Sequence, residues 1–300
     1  VCGMTRGGFA EFIPTIFGLL AGKFAACEED SDDDVKEAVL NAYNVFVQCC
    51  GAGVGAAAEQ IAATATEYVK YDPNFFEAED DEDAMEMDEE DDVEFEDDEE
   101  DITWKLRKLA GDCLTSLVKN CPALFDTLLA TALPVVLRRF KERVEIVLDV
   151  VLAIYRTMLA EANLRGVAPQ ALLDSVAPAV PQLVAVLKND KLKEKAKIEC
   201  FQIIQQLAKA NPQALAEALP SVEPVCVKLL TTANINIDLL YTLLAAVRAV
   251  VVVPGTTAFA LNLQSDLVAL FNNKNFRIAI DALKTEAVVL STLDPAAPQI

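Results

Sequence analysis

Four times along this chain a proline stands between apolar residues within a stretch of helical periodicity: Ile13-Pro14-Thr15-Ile16, Leu133-Pro134-Val135-Val136, Val180-Pro181-Gln182-Leu183 and Leu219-Pro220-Ser221-Val222. A proline inside a helix removes one backbone hydrogen bond and costs ~3 kcal/mol, so its recurrence marks a helix that is kinked by design. The helix that follows such a helix has a different signature. It opens on an apolar residue and a base, with apolar residues at i+3, i+4, i+7 and i+8. One copy is Val35-Lys36 with Ala38, Val39, Ala42 and Tyr43. A second is Leu106-Arg107 with Leu109, Ala110, Cys113 and Leu114, and a third is Phe276-Arg277 with Ala279, Ile280 and Leu283. Kinked-then-straight helix pairs, repeated, leave no room for a sheet.

The register confirms a repeat. Val35, Leu106, Val147, Ile235 and Phe276 recur at multiples of about forty residues once an insert is set aside and a further unit is placed around Lys195, the spacing of HEAT or armadillo units. Six pairs result. Their first helices are expected near 9–24, 53–70, 122–140, 167–189, 212–232 and 256–272, and their second helices near 34–50, 102–120, 142–160, 192–210, 235–252 and 274–292. The predicted fold is an all-α HEAT-repeat solenoid, a single unit over residues 1–300. No pair buries its apolar face alone, so the stack must share one core and curve into a superhelix with a concave wall suited to another macromolecule. Both ends should expose apolar faces.

The insert is the segment 72–101. Nineteen acids and no base fall between Glu77 and Asp101, out of 47 acids and 25 bases in the chain. The remainder is nearly balanced, so the low pI belongs to one segment. A block of like charge with few large apolar residues reads as a flexible, solvated insertion inside the second repeat. Asp101 and Thr103 stand where N-terminal caps of the following helix belong. A calcium loop needs a glycine in its tight turn, and none occurs between Gly55 and Gly111.

Composition also excludes function classes. The chain has no histidine, which removes histidine acid/base catalysis and Cys/His zinc sites. No GxGxxG or GxxxxGK[ST] motif and no pair of carboxylates on an ordered element is present, so the reading is a non-enzyme without cofactor or small-molecule substrate. Eight cysteines without a CxxC pair read as reduced, mostly buried thiols of a cytosolic or nuclear protein. Glycines, prolines and amides interrupt the longest charge-free stretches, which argues against a membrane span. A start at Val1 reads as a segment of something longer.

Candidate partner-binding residues are the bases on and beside the second helices: Lys36, Lys105, Arg107, Lys108, Lys195 and Arg277, with a denser cluster of Arg138, Arg139, Lys141 and Arg143 at the turn of the third pair. Each is equally readable as a solvated or salt-bridged position. Trp104 reads as a packing aromatic at a helix opening.

Several segments carry a family resemblance. Tyr68-Val69-Lys70-Tyr71-Asp72-Pro73-Asn74-Phe75, an acidic insert holding Asp83-Ala84-Met85, and Trp104-Lys105-Leu106-Arg107-Lys108 occur in that order. Lys36-Glu37 through Phe46-Val47 before Cys49-Cys50, and Arg139-Phe140-Lys141-Glu142-Arg143, add to them. Together they resemble the cullin-associated, neddylation-dissociated family. The resemblance runs through most of the chain, strongest from Asp34 to Tyr155. It implies an internal segment from the N-terminal half of a scaffold that wraps a cullin bound to its RING-box protein and promotes exchange of substrate adaptors, in cytoplasm and nucleus, without nucleic-acid or membrane partners. The adaptor-competing hairpin of the family would lie outside this chain. Leu148 and Asn236 replace the base of the second-helix pattern in the third and fifth pairs. An alternative is an importin-like nuclear transport receptor, whose acidic loop is also followed by a Trp and a basic helix start, although the YDPN and RFKER segments do not belong to it.

Overall fold

The computed structural model describes residues 12–27, 32–71, 103–166 and 168–293. Among them thirteen α-helices and no strand are formed. The first layer contains α1 (Ile13–Ala25), α3 (Ala57–Lys70), α5 (Phe125–Arg138), α7 (Gln170–Asp174) with α8 (Val176–Lys188), α10 (Pro212–Thr231) and α12 (Thr257–Ala269). The second contains α2 (Asp33–Cys50), α4 (Trp104–Asn120), α6 (Glu145–Arg165), α9 (Glu194–Ala210), α11 (Ile237–Val251) and α13 (Phe276–Leu293). Helices from the two layers alternate along the chain as six antiparallel pairs.

The expected spans are met within a few residues, with three differences. First, α6 runs on to Arg165 and stops at Gly166, which takes the left-handed conformation (φ 70°) that side chains disfavour. Second, the first helix of the fourth pair is broken at Ser175. Pro178 cannot donate to the Asp174 carbonyl, and the Ser175 hydroxyl donates to the Leu172 carbonyl at 2.7 Å. Third, Pro14 falls in the first turn of α1, where its missing N–H is harmless, so it starts a helix and does not kink one. Pro134, Pro181 and Pro220 do lie inside first-layer helices. All three are exposed, so each interruption of the helix lies on its solvent side.

One cluster of buried apolar side chains runs unbroken from Ile13 to Val289. Neighbouring second-layer helices pack along one another, whereas first-layer neighbours meet more sparingly. A two-layer stack bends toward its tighter layer, so the second-layer helices line the concave side. Both ends expose apolar side chains: Phe12, Leu19 and Val35 at one, and Leu261, Val268, Phe276, Ile280, Leu283 and Leu290 at the other. The insertion 72–101, and with it Asp101, lies outside the described residues; the helices it joins, α3 and α4, pack directly together. Among the described residues no single helix is long and apolar enough to cross a membrane.

Candidate functional site

The bases singled out from sequence divide into two groups. Three are internal to the fold. Lys36 is buried and bonds to Asp33 at 3.0 Å. Burial works against its charge, but the hydrogen bond and charge of Asp33 outweigh this and raise its pKa. Arg107, 1% exposed, donates to the Thr103 hydroxyl at 2.7 Å and lies 3.4 Å from the carboxylate of Glu142. Arg139 donates to the same carboxylate, whose other oxygen accepts from the Val144 N–H at 3.0 Å. Two guanidiniums thus converge on one buried acid and tie the start of α4 to the turn before α6. Thr103 consequently does not cap α4 with its side chain, since the hydroxyl is taken by Arg107. Lys36 and Arg107 are the fourth residues of their helices, and the fourth residue of α9, Lys197, is buried in the same way near Asp190 at 3.8 Å. Sequence reasoning marked its exposed neighbour Lys195 instead.

The others lie at the surface. Arg138, Lys141, Arg143 and Arg277 are exposed. Lys105 reaches Glu37 at 3.9 Å, Lys108 bonds to Asp112 at 2.8 Å, and Lys195 bridges to Asp149 on α6 at 2.9 Å. Trp104 is half-buried against the core. The surface bases are spread over the stack from α4 to α13, and only the group at the α5–α6 turn is dense.

The concave layer holds a feature that no single segment announced. The twelfth residue of three consecutive second-layer helices reaches the sixth residue of the next. Arg156 donates through Nε to Glu199 at 2.6 Å, Gln205 donates to the Thr242 carbonyl at 3.3 Å, and Arg248 lies 2.9 Å from the Asp281 carboxylate. Arg248 also donates to Thr285 at 2.8 Å. At the other end Asn44, twelfth in α2, accepts from Ser116 of α4 at 2.6 Å. These links form a polar ladder across the concave side. Of its rungs, Arg156, Gln205, Thr242, Arg248 and Asp281 line, with Gln202 and Tyr241, an open groove of about 480 Å3 over α9 and α11. Polar residues on an exposed helix face read as solvated in sequence; the signal that could have found them is their identical place in successive repeats.

Burial pushes the Cys113 and Cys226 thiols up to about 12 and Cys200 higher, which keeps them protonated and unreactive at neutral pH. Among the described residues no group of three or more Cys, Asp or Glu is placed to hold a metal ion.

No protein-family model matches the chain. Curated relatives do. It is 29% identical over 210 residues to Cullin-associated NEDD8-dissociated protein 1 of Drosophila melanogaster, covering 64% of this chain and 17% of that protein. The Arabidopsis thaliana protein of the same name is 27% identical over 293 residues, covering 91% and 24%. Cullin-associated NEDD8-dissociated protein 2 of Mus musculus is 30% identical over 207 residues, covering 62% and 16%. The resemblance read from the sequence therefore stands, and the chain spans less than a quarter of the length of these relatives. Among solved structures, an engineered protein aligns with TM-score 0.62 at 12% identity, covering 92% of this chain and 97% of that one. Kap95p from a complex with RanGDP aligns with TM-score 0.58 at 14% identity, covering 97% and 32%. These likenesses carry the helical-repeat solenoid fold alone.

Proposed function

We propose that this chain is part of a non-enzymatic scaffold that associates with cullins, wraps the cullin–RING-box core with its concave second-layer helices and promotes exchange of substrate adaptors. The observation that carries the reading is the similarity to cullin-associated NEDD8-dissociated proteins, which extends over most of the solenoid and not over one motif. The architecture supports it: a continuous concave wall, rather than a closed pocket, suits a large folded partner. In this reading the surface bases Lys105, Lys108, Arg138, Lys141, Arg143, Lys195 and Arg277 would meet a partner, while Lys36, Arg107 and Arg139 serve the fold. The acting compartments would be cytoplasm and nucleus, with neither nucleic acid nor membrane as partner.

The test is a binding assay with purified cullin–RING-box complex, with and without covalent NEDD8, against both this chain and the longer protein that contains it. Selective binding of the unmodified complex is expected. Binding of a Ran-type GTPase or import cargo with indifference to cullins would replace this reading with the transport-receptor one. A conjugating or hydrolysing activity in the purified protein would overturn the non-enzymatic part.

A further inference from the structure

The groove over α9 and α11 has a polar lining with hydrogen-bonding capacity to spare. Gln202 and the Tyr241 hydroxyl have no hydrogen-bond partner among the described residues, and Gln205 uses only one N–H, toward Thr242. Amide side chains both donate and accept, so two unspent glutamines beside a hydroxyl match a partner that offers donors and acceptors alternately. A helix or a sheet interior has spent its backbone groups internally; an extended segment has not.

The charges narrow the choice. Arg248 is occupied by Asp281 and Thr285. Arg156 uses Nε for Glu199, which leaves its terminal N–H groups pointing nowhere else among the described residues. Such a guanidinium edge takes one carboxylate. Glu199 beside the groove lies against Arg156 Nε and Asp281 against Arg248, so the site lacks the run of uncompensated bases that a nucleic-acid backbone requires, and what it offers an acid is the free edge of one guanidinium.

We propose that this groove binds an extended segment of a partner polypeptide, laid across α6, α9 and α11, with its backbone read by Gln202, Gln205 and Tyr241 and one Asp or Glu side chain placed on Arg156. Packed helices lie ~8–10 Å apart. An extended chain advances ~3.3 Å per residue, so crossing from α6 to α11 takes about six residues. The proposal rests on the concave layer being the partner-binding side, as in the proposed function, but it does not require that the partner be a cullin.

The experiment pans a display library of random, unstructured twelve-residue peptides on the protein, with the Gln202→Ala/Tyr241→Phe variant as a parallel target. Both substitutions are at half-buried surface positions and should leave the thermal midpoint unchanged. Peptides with one fixed acid flanked by positions of little side-chain preference should be enriched. Their synthetic versions should bind at least tenfold more weakly to that variant and to Arg156→Gln. Equal enrichment on the variant, no enrichment, or selection of amphipathic helical sequences would overturn the proposal. So would binding of a single-stranded oligonucleotide that competes with the peptides. Because the assay contains no cullin, its failure is separable from failure of the cullin-binding assay: selection of peptides does not require that cullins bind, nor does cullin binding require that peptides be selected.

Discussion

Gly111 and Val150 hold two concave-layer helices closer than any side chain at residue 111 would permit. A Cβ on Gly111 would lie 2.4 Å from Val150 Cγ1 and within 3.6 Å of its Cβ. The place is the α4–α6 junction, where the polar ladder is interrupted. Thr115 is the twelfth residue of α4 and Val150 the sixth of α6, so an apolar side chain stands where the next three junctions receive a hydrogen bond or charge. Close backbone approach takes over the part that the polar links have elsewhere.

Gly111→Ala should therefore destabilise the protein although alanine is the better helix former. The helix gains about 1 kcal/mol from the exchange. Overpacking against a β-branched neighbour costs about 1–3 kcal/mol, since a valine within a helix is largely confined to one χ1 rotamer. A net loss of up to about 2 kcal/mol in urea denaturation is expected, and Gly111→Ala combined with Val150→Ala should lose less than the sum of the two single changes. Additive losses would mean that the junction relaxes without strain.

The Arg107–Glu142–Arg139 cluster predicts an asymmetry. Removing the acid with Glu142→Ala deprives two buried guanidiniums of the carboxylate they share and should cost about 3–5 kcal/mol. Removing one base with Arg107→Met leaves the Arg139 pair intact and should cost markedly less. Neither loss should respond to added salt, because buried pairs are poorly screened. Equal losses for the two variants, or a strong salt dependence, would place the cluster in contact with solvent.

That cluster also shows where sequence reading stopped. Helix boundaries were legible because Pro, Gly and Asn punctuate them and the apolar stripes are strongly periodic; Asn236, for example, accepts from the Asp238 and Leu239 N–H groups at the start of α11. The bases at the fourth helix position were legible as a pattern but not as buried. Arg107 finds its acid on a turn one repeat away, and nothing local in WKLRK announces Glu142. Lys36 and Lys197 bury their stems for the same reason that long amphipathic side chains can cover a core edge. The ladder residues Arg156, Gln205 and Arg248 differ in type, so only their shared place in consecutive helices unites them, and that place depends on where each helix begins.

Thiol chemistry should separate the cysteines. Cys113, Cys121, Cys200 and Cys226 are buried, while Cys27, Cys49 and Cys50 are partly exposed. Brief alkylation at pH 7.5, mapped by mass spectrometry, should label the second group and spare the first until denaturant is added. Native labelling of Cys113, whose thiol donates to the Leu40 carbonyl at 3.1 Å, would show that the α2–α4 contact opens readily.

Alkaline pH should unfold the protein through groups that the fold keeps protonated. Burial raises Tyr43 and Tyr155 from 10.0 to about 12, with the Ser175 hydrogen bond partly opposing the effect at Tyr155. In the unfolded chain these phenols ionise near pH 10, so their contribution is fully present below pH 10 and is lost as the pH rises toward 12. Cys113 and Cys226, raised from 9.0 to about 12, act with the same sign from pH 9 upward. The raised pKa of Lys36 also acts in that direction, its contribution present below 10.5 and lost above its folded value. The urea midpoint should hold steady from pH 7 to about 8.5 and then fall continuously. Tyr43→Phe keeps the ring that packs on Phe17 with centroids 5.2 Å apart, removes the ionisable group, and should flatten the fall above pH 10 while leaving the part between 9 and 10 unchanged. If Tyr43→Phe followed the parent curve throughout, ionisation of this tyrosine would have no part in the alkaline transition.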